Sequence, residues 1–183
     1  MSNEKKEDPK KILIMGLNNG GKTCILLTLK EDTNLLSFVS LKPTKGLDIS
    51  SVEGAEINFS LWDFGGQEQY RNDYLKDFKK YITKVERLIY VIDVQDTKRY
   101  ELSLNYLTSI MDKLKKEQIK IPISIFLHKF DKYLYKREDF KEFHEKIQHE
   151  LIDKIRDMVS TNFDYKIFKT CISTFFEKTL VTE

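Results

Sequence analysis

The chain has 183 residues, 40% of them hydrophobic and 33% charged, with a formal net charge of +2. That length is one domain with room for a full core, and the composition is globular rather than disordered. The balanced charge leaves no basic field for nucleic acid, and no apolar run approaches the roughly 18 residues that a membrane span needs.

The first ten residues, MSNEKKEDPK, carry both signs of charge and no apolar stretch, so they do not read as a signal peptide. They are expected to form a charged tail, 1–10, ahead of a single domain, 11–183. Position 2 is Ser2, which excludes the usual N-myristoylation motif, and the ending LVTE is not a prenylation box. Cys24 and Cys171 are the only cysteines; two do not make a disulfide framework, and a reducing cytoplasm is the expected location. Asn58-Phe59-Ser60 is formally a glycosylation sequon but lies inside a strand candidate and is read as coincidence.

In chain order, Lys11 to Met15 reads as a buried strand and Lys22 to Leu29 as a helix with Ile25, Leu26 and Leu29 on one face. A polar segment with Lys42-Pro43-Thr44-Lys45-Gly46 follows. Leu47 to Val52 and Glu56 to Trp62 then alternate about Glu53-Gly54-Ala55, a hairpin signal. Arg87 to Val94 is a buried strand, and Tyr100 to Leu114 a helix with Leu104, Leu107, Met111 and Leu114 inward. Ile121 to Leu127 is a strand, and Phe143 to Val159 a helix whose Phe143, Ile147, Leu151, Ile155 and Val159 step by four. Tyr165 to Phe168 is a last strand and Phe175 to Val181 a last helix. Strands alternating with helices predict an α/β fold, a six-stranded, mostly parallel sheet with one antiparallel hairpin strand and helices on both faces. Ligands of such sheets bind beyond the carboxyl ends of the strands.

The chemistry is read there. Gly16-x-x-x-x-Gly21-Lys22-Thr23 stands between a strand and a helix, the context of a phosphate-binding loop. Its backbone N–H groups, at Asn19, Gly20, Gly21 and Lys22, would cradle phosphates. Lys22 would reach the β- and γ-phosphates, and the Thr23 hydroxyl would ligate Mg²⁺. Asp63, ending the third strand in WDFGGQ, would hold the metal through water. The Gly66 N–H could bond a γ-phosphate oxygen, and Gln67 could orient an attacking water. Thr44 would bring a second hydroxyl to the metal. In HKFD, closing the Ile121 strand, the Asp131 carboxylate can accept from both the ring N–H and the exocyclic amine of guanine. The Lys129 stem would lie along the base. After the last strand, the backbone of Cys171 and Ile172 could meet the guanine carbonyl.

Together GLNNGGKT, PTKG, WDFGGQ, HKFD and TCI resemble, in order and spacing, a small GTPase of the Ras superfamily over nearly the whole chain. GLNNGGKT and WDFGGQE look like the Arf and Arf-like branch. HKFD, the long segment from Gln67 to Arg87, and KTCIS look like the Rag/Gtr branch. The resemblance implies a P-loop NTPase fold and a nucleotide site of Gly16, Asn18, Asn19, Gly20, Gly21, Lys22, Thr23, Cys24, Gly66, His128, Lys129, Asp131, Cys171 and Ile172. Gln67, Lys22 and Thr44 take catalytic roles, and Thr23, Thr44 and Asp63 hold the metal. It further implies GTP/GDP and Mg²⁺ as ligands, with an exchange factor and a GTPase-activating protein as regulators. Effectors would meet the Thr44 region and the Gln67–Tyr81 segment, in membrane trafficking or nutrient-type signalling.

Three departures qualify the resemblance. His128 stands where the base motif commonly has Asn, and its ring N–H can still donate to guanine. The myristoylated amphipathic helix of Arf proteins has no counterpart in the charged start, so membrane attachment is expected only through a partner. Rag proteins continue into a C-terminal dimerisation domain, whereas the sequence stops at Glu183. The expectation is a switch with slow intrinsic hydrolysis, because no arginine precedes Thr44. The alternative is a structural GTP-binding subunit of a heterodimer with little or no turnover. A small-molecule P-loop kinase is disfavoured by the Trp-Asp-x-Gly-Gly-Gln context of Asp63. Of Tyr70, Tyr74, Phe78 and Tyr81, some are expected to form an apolar partner surface rather than core. His144 and His149 are expected in solvent.

Overall fold

The computed structural model describes residues 8–30, 35–53, 58–159 and 163–174. Six strands form one sheet: β1 (Lys10–Gly16), β2 (Leu47–Val52), β3 (Phe59–Phe64), β4 (Val85–Asp93), β5 (Ile123–His128) and β6 (Tyr165–Lys169). Their order is β2-β3-β1-β4-β5-β6. Every neighbouring pair is parallel except β2 with β3, which is antiparallel. The helices are α1 (Lys22–Thr28), α2 (Leu35–Val39), α3 (Glu68–Lys76), α4 (Phe78–Ile82), α5 (Tyr100–Lys116), α6 (Phe140–Ile147) and α7 (Lys154–Val159). The expected α/β architecture is present.

Alternation along β1 sets the two layers. Leu13 and Met15 join the larger core with α3 to α7, while Ile14 points the other way, to Ile25 and Leu26 of α1. On α5, Leu107, Ile110 and Leu114 are fully buried; burying each such side chain is worth about 1.5–3 kcal/mol. The four-residue spacing of Phe143, Ile147, Leu151, Ile155 and Val159 has a structural counterpart. At 3.6 residues per turn each step of four drifts about 40° around a helix. A π-helical turn, Gln148–Asp153, joins α6 to α7, locally widens the winding, and all five residues remain buried.

Several boundaries differ from expectation. Lys10 already belongs to β1. β3 runs on to Phe64 rather than stopping at Trp62, so Asp63 is fixed inside the strand. His128 likewise ends β5. Helices α2 to α4 were not anticipated: their short, lysine- and serine-containing segments lack a sustained apolar period. The four aromatic residues on α3 and α4 divide between core and partly exposed positions. Tyr74 and Phe78 are buried, and Tyr70 and Tyr81 pack partly buried against the same core. Phe64, Tyr74 and Tyr81 form a mutual edge-on triad, with ring centroids 4.6–5.6 Å apart. His144 lies near Lys169, and His149 bonds Asp153 at the exposed surface. The expected helix Phe175–Val181 lies outside the described residues, as do residues 1–7 of the tail and the centre of the expected β2–β3 hairpin turn. Among the described residues no helix is long and apolar enough to cross a membrane.

Candidate functional site

The site gathers at the carboxyl ends of β1, β3, β4 and β5. Gly16 closes β1 in register with Val91 of β4, and the loop that follows leads into α1 at Lys22. Lys22 is buried, and its Nζ donates to the Leu17 carbonyl at 2.8 Å, folding the ammonium back over its own loop. Burial pulls its pKa down to about 8, only partly offset by the Asp63 carboxylate. Gly21 has φ 87°, and a Cβ there would stand 2.6 Å from the His128 ring. Positive φ and close approach both require glycine at this position.

Three segments converge beside Lys22. Thr23 Oγ1 donates to Asp63 Oδ2 at 2.6 Å, and Thr44 Oγ1 to the same oxygen at 3.0 Å. The two hydroxyls are 3.0 Å apart. Asp63 has no exposed surface, and its Oδ1 is buried without a hydrogen-bond partner. Burial raises the carboxyl above its usual range against the opposing influence of Thr23, Lys22 and Thr44. A buried unpaired carboxylate oxygen is costly. A hard divalent cation would relieve it, and the all-oxygen donor set suits Mg²⁺.

Backbone bonds close the segments on one another. The Gly65 N–H donates to the Gly46 carbonyl at 2.8 Å, and the Asn18 N–H to the Gly66 carbonyl at 3.1 Å. Gln67 follows in extended conformation as the N-cap of α3, half-buried. Together Asn18 to Cys24, Leu41 to Thr44, Gly66, Gln67 and Lys129 line a cleft of about 400 Å³.

The other expected residues flank this cleft. Lys129, at φ 61°, donates from Nζ to the Asn19 carbonyl at 2.8 Å and pairs with Asp93 at 2.7 Å. It thereby ties the HKFD segment to the loop between β1 and α1. Asn19, at φ 60°, shares the left-handed backbone. His128 is buried; its Nδ1 shares a 2.9 Å hydrogen bond with Thr170 Oγ1, and burial lowers its pKa. Asp131 is half-buried and accepts from Gln95. Cys171 is exposed, and Ile172 packs partly buried against the smaller core cluster that includes Ile14, Ile25 and Leu26. Neither is among the residues lining the cleft. Cys24 lines the cleft, and burial raises its thiol pKa.

Sequence reasoning missed Asp93, Gln95 and Arg99. Arg99 holds Asn18 through its carbonyl at 3.2 Å and side-chain oxygen at 3.0 Å. Asp93 ends β4 and Gln95 follows it, where the rule of strand carboxyl ends could have pointed to both; Arg99 closes the helical turn Thr97–Arg99 that comes next.

Residues 11–180 match the Gtr1/RagA G protein conserved region. The chain belongs to this G-protein family. Its Arf-like affinity is equally visible. The chain is similar to ADP-ribosylation factor-like protein 3 of Chlamydomonas reinhardtii, 35% identical over 128 residues, 70% of this chain and 67% of that protein. It is also similar to ADP-ribosylation factor-like protein 3 of Caenorhabditis elegans, at 34% over 66% of this chain and 61% of that one. A third relative is ADP-ribosylation factor-like protein alp41 of Schizosaccharomyces pombe, at 37% over 58% and 53%. The matches thus span about half to two thirds of the relatives' length. The Arl6 BBS3 small GTPase of Trypanosoma brucei, solved with bound nucleotide analogue GppNp, has a TM-score of 0.67. It covers 90% of this chain and 87% of its own at 18% identity, a likeness of fold. The chain is therefore a small GTPase of the Arf-like and Rag-like branch.

Proposed function

We propose that this G-protein chain is a guanine-nucleotide switch that binds GTP and GDP with Mg²⁺ and hydrolyses GTP slowly. The observation that carries this reading is the meeting of Thr23 and Thr44 on Asp63, with one Asp63 oxygen buried and unpaired, at the phosphate loop. Thr23 and Thr44 would hold the ion directly and Asp63 through water. When bound, the ion neutralises charge on the β- and γ-phosphate oxygens. Lys22 would exchange the Leu17 carbonyl for phosphate, whose charge restores the ammonium against burial. The Gly66 N–H would sense the γ-phosphate, and Gln67, at the cleft wall, would orient the attacking water. His128, Lys129 and Asp131, with the backbone of Cys171 and Ile172, would take the guanine.

The residue before Thr44 is Pro43, and the nearest base in that wall of the cleft is Lys42 rather than arginine. Intrinsic hydrolysis of the order of 10⁻⁴ to 10⁻³ s⁻¹ follows unless a partner supplies a guanidinium. Loss of the γ-phosphate would release the Thr44 and Gly66 segments and alter the surface offered to effectors. An exchange factor and a GTPase-activating protein would set the cycle in the cytoplasm, with membranes reached only through partners. The test is to denature the purified protein, identify the released nucleotide, and follow GTP over hours. GDP with slow turnover supports the switch. Retained GTP without turnover would make the chain a structural subunit, and adenine nucleotide would overturn the reading of Asp131.

A further inference from the structure

Next to Lys129, at the edge of the cleft, lies an arrangement outside the recognised motifs. Gln95 lies just past β4, half-buried. Its Nε2 donates to the Lys129 carbonyl at 2.7 Å and to Asp131 Oδ2 at 2.8 Å. Its Oε1 accepts from the Tyr133 hydroxyl at 2.6 Å. Its own backbone N–H donates to Asp93 Oδ1 at 3.0 Å, while the other Asp93 oxygen pairs with Lys129. Both amide hydrogens and the amide oxygen are thus used, and one orientation of the amide satisfies all three contacts.

We propose that Gln95, held by Tyr133, is a positioning residue that orients the Asp131 carboxylate and so sharpens selection of guanine among purine bases. The inference rests on the reading of Asp131 as the base-selecting acid. A carboxylate offers about four lone-pair positions, and Gln95 occupies one on Oδ2. Both oxygens keep positions for the two parallel donors of guanine. Rotation about the terminal torsion of an aspartate is soft. Without Gln95 the carboxylate turns out of the plane that two simultaneous hydrogen bonds demand. A base with a single donor tolerates that rotation far better. Losing Gln95 therefore weakens guanine more than hypoxanthine, which lacks the exocyclic amine.

The experiment measures the affinities of the full chain for GDP and IDP in wild type, Gln95→Leu and Tyr133→Phe, and for GDP and XDP in Asp131→Asn. Gln95→Leu should weaken GDP by about tenfold and IDP by less than about threefold, the scale of one charge-assisted hydrogen bond. Tyr133→Phe, at an exposed ring, should narrow the GDP-to-IDP ratio in the same direction by a smaller factor. Equal losses for both nucleotides in Gln95→Leu, or no loss, would overturn the proposal. An unchanged ratio in Tyr133→Phe would overturn the part assigned to Tyr133. Asp131→Asn should turn preference toward XDP. If it does not, the base reading itself fails, and that failure is separate from any result at Gln95.

Discussion

Replacing Gly66 by alanine should leave the protein able to bind GDP but unable to close around GTP. A Cβ at Gly66 would fall 2.1 Å from the Asn18 nitrogen, 2.2 Å from the Leu17 carbonyl carbon and 2.6 Å from the Leu17 oxygen. All three are backbone atoms of the phosphate loop, so no side chain can swing aside. The Gly66 segment must move off the loop by about 1 Å or more to restore ordinary contact distances. That motion breaks the 3.1 Å bond from the Asn18 N–H to the Gly66 carbonyl. A lost hydrogen bond of about 1 kcal/mol and an overpacking strain of about 1–2 kcal/mol together disfavour the closed arrangement by about 2–3 kcal/mol. This is a shift of about 30- to 150-fold in its population. The chain supplies its own reporter. Trp62, the single tryptophan, precedes Asp63 and lies under the Lys11 ammonium at 3.6 Å. Its fluorescence should change when a non-hydrolysable GTP analogue replaces GDP in the wild type, and stay at the GDP level in Gly66→Ala. A wild-type fluorescence change with wild-type analogue affinity would refute the reasoning.

Gln67→Leu should slow GTP turnover by about a hundredfold while leaving GTP affinity intact, and turnover equal to wild type would remove Gln67 from the reaction. Chelating Mg²⁺ with EDTA should speed GDP release by about tenfold or more in the wild type and by much less in Asp63→Asn, followed by fluorescent nucleotide exchange. His128 provides a pH test. Burial lowers its folded pKa below the 6.5 of the free ring, so the unfolded chain binds the extra proton first. Its contribution is therefore complete above about pH 6.5 and is lost as the pH falls toward the folded value. Thermal unfolding between pH 7.5 and 5 should show a decline in stability that is shallower in His128→Asn. The same slope in both proteins would place the acid sensitivity elsewhere.

The Gly16–Thr23 loop was legible because its residues are contiguous. Gly16 to Thr23 run between a strand and a helix, and that local context already specifies backbone donors, a lysine and a hydroxyl. The larger core was legible too: Leu104, Leu107, Met111 and Leu114 follow one helical face and are all buried. Other readings failed for identifiable reasons. Tyr74 and Phe78 sit four residues apart, a spacing that serves a core or a partner surface equally well. Only the packing of Tyr74 with Phe64 and Tyr81 places it inward. Gln95 carried no motif, and its importance arises from contacts 34 to 38 residues along the chain.

By itself, then, the sequence determined the α/β order of elements, the glycine-rich strand–loop–helix at Gly16–Thr23 and the kinship with small GTPases, because periodicity and short motifs are properties of neighbouring residues. The tertiary structure decided which atoms meet. Thr23, Thr44 and Asp63 are separated by 19 to 40 residues, yet both hydroxyls converge on one Asp63 carboxylate oxygen and leave the other buried and bare. The length of β3, the closure of Gly65 on Gly46 and the seating of Gly66 on the phosphate loop set that convergence. It depends on strand register and loop packing, which no local pattern of residues encodes.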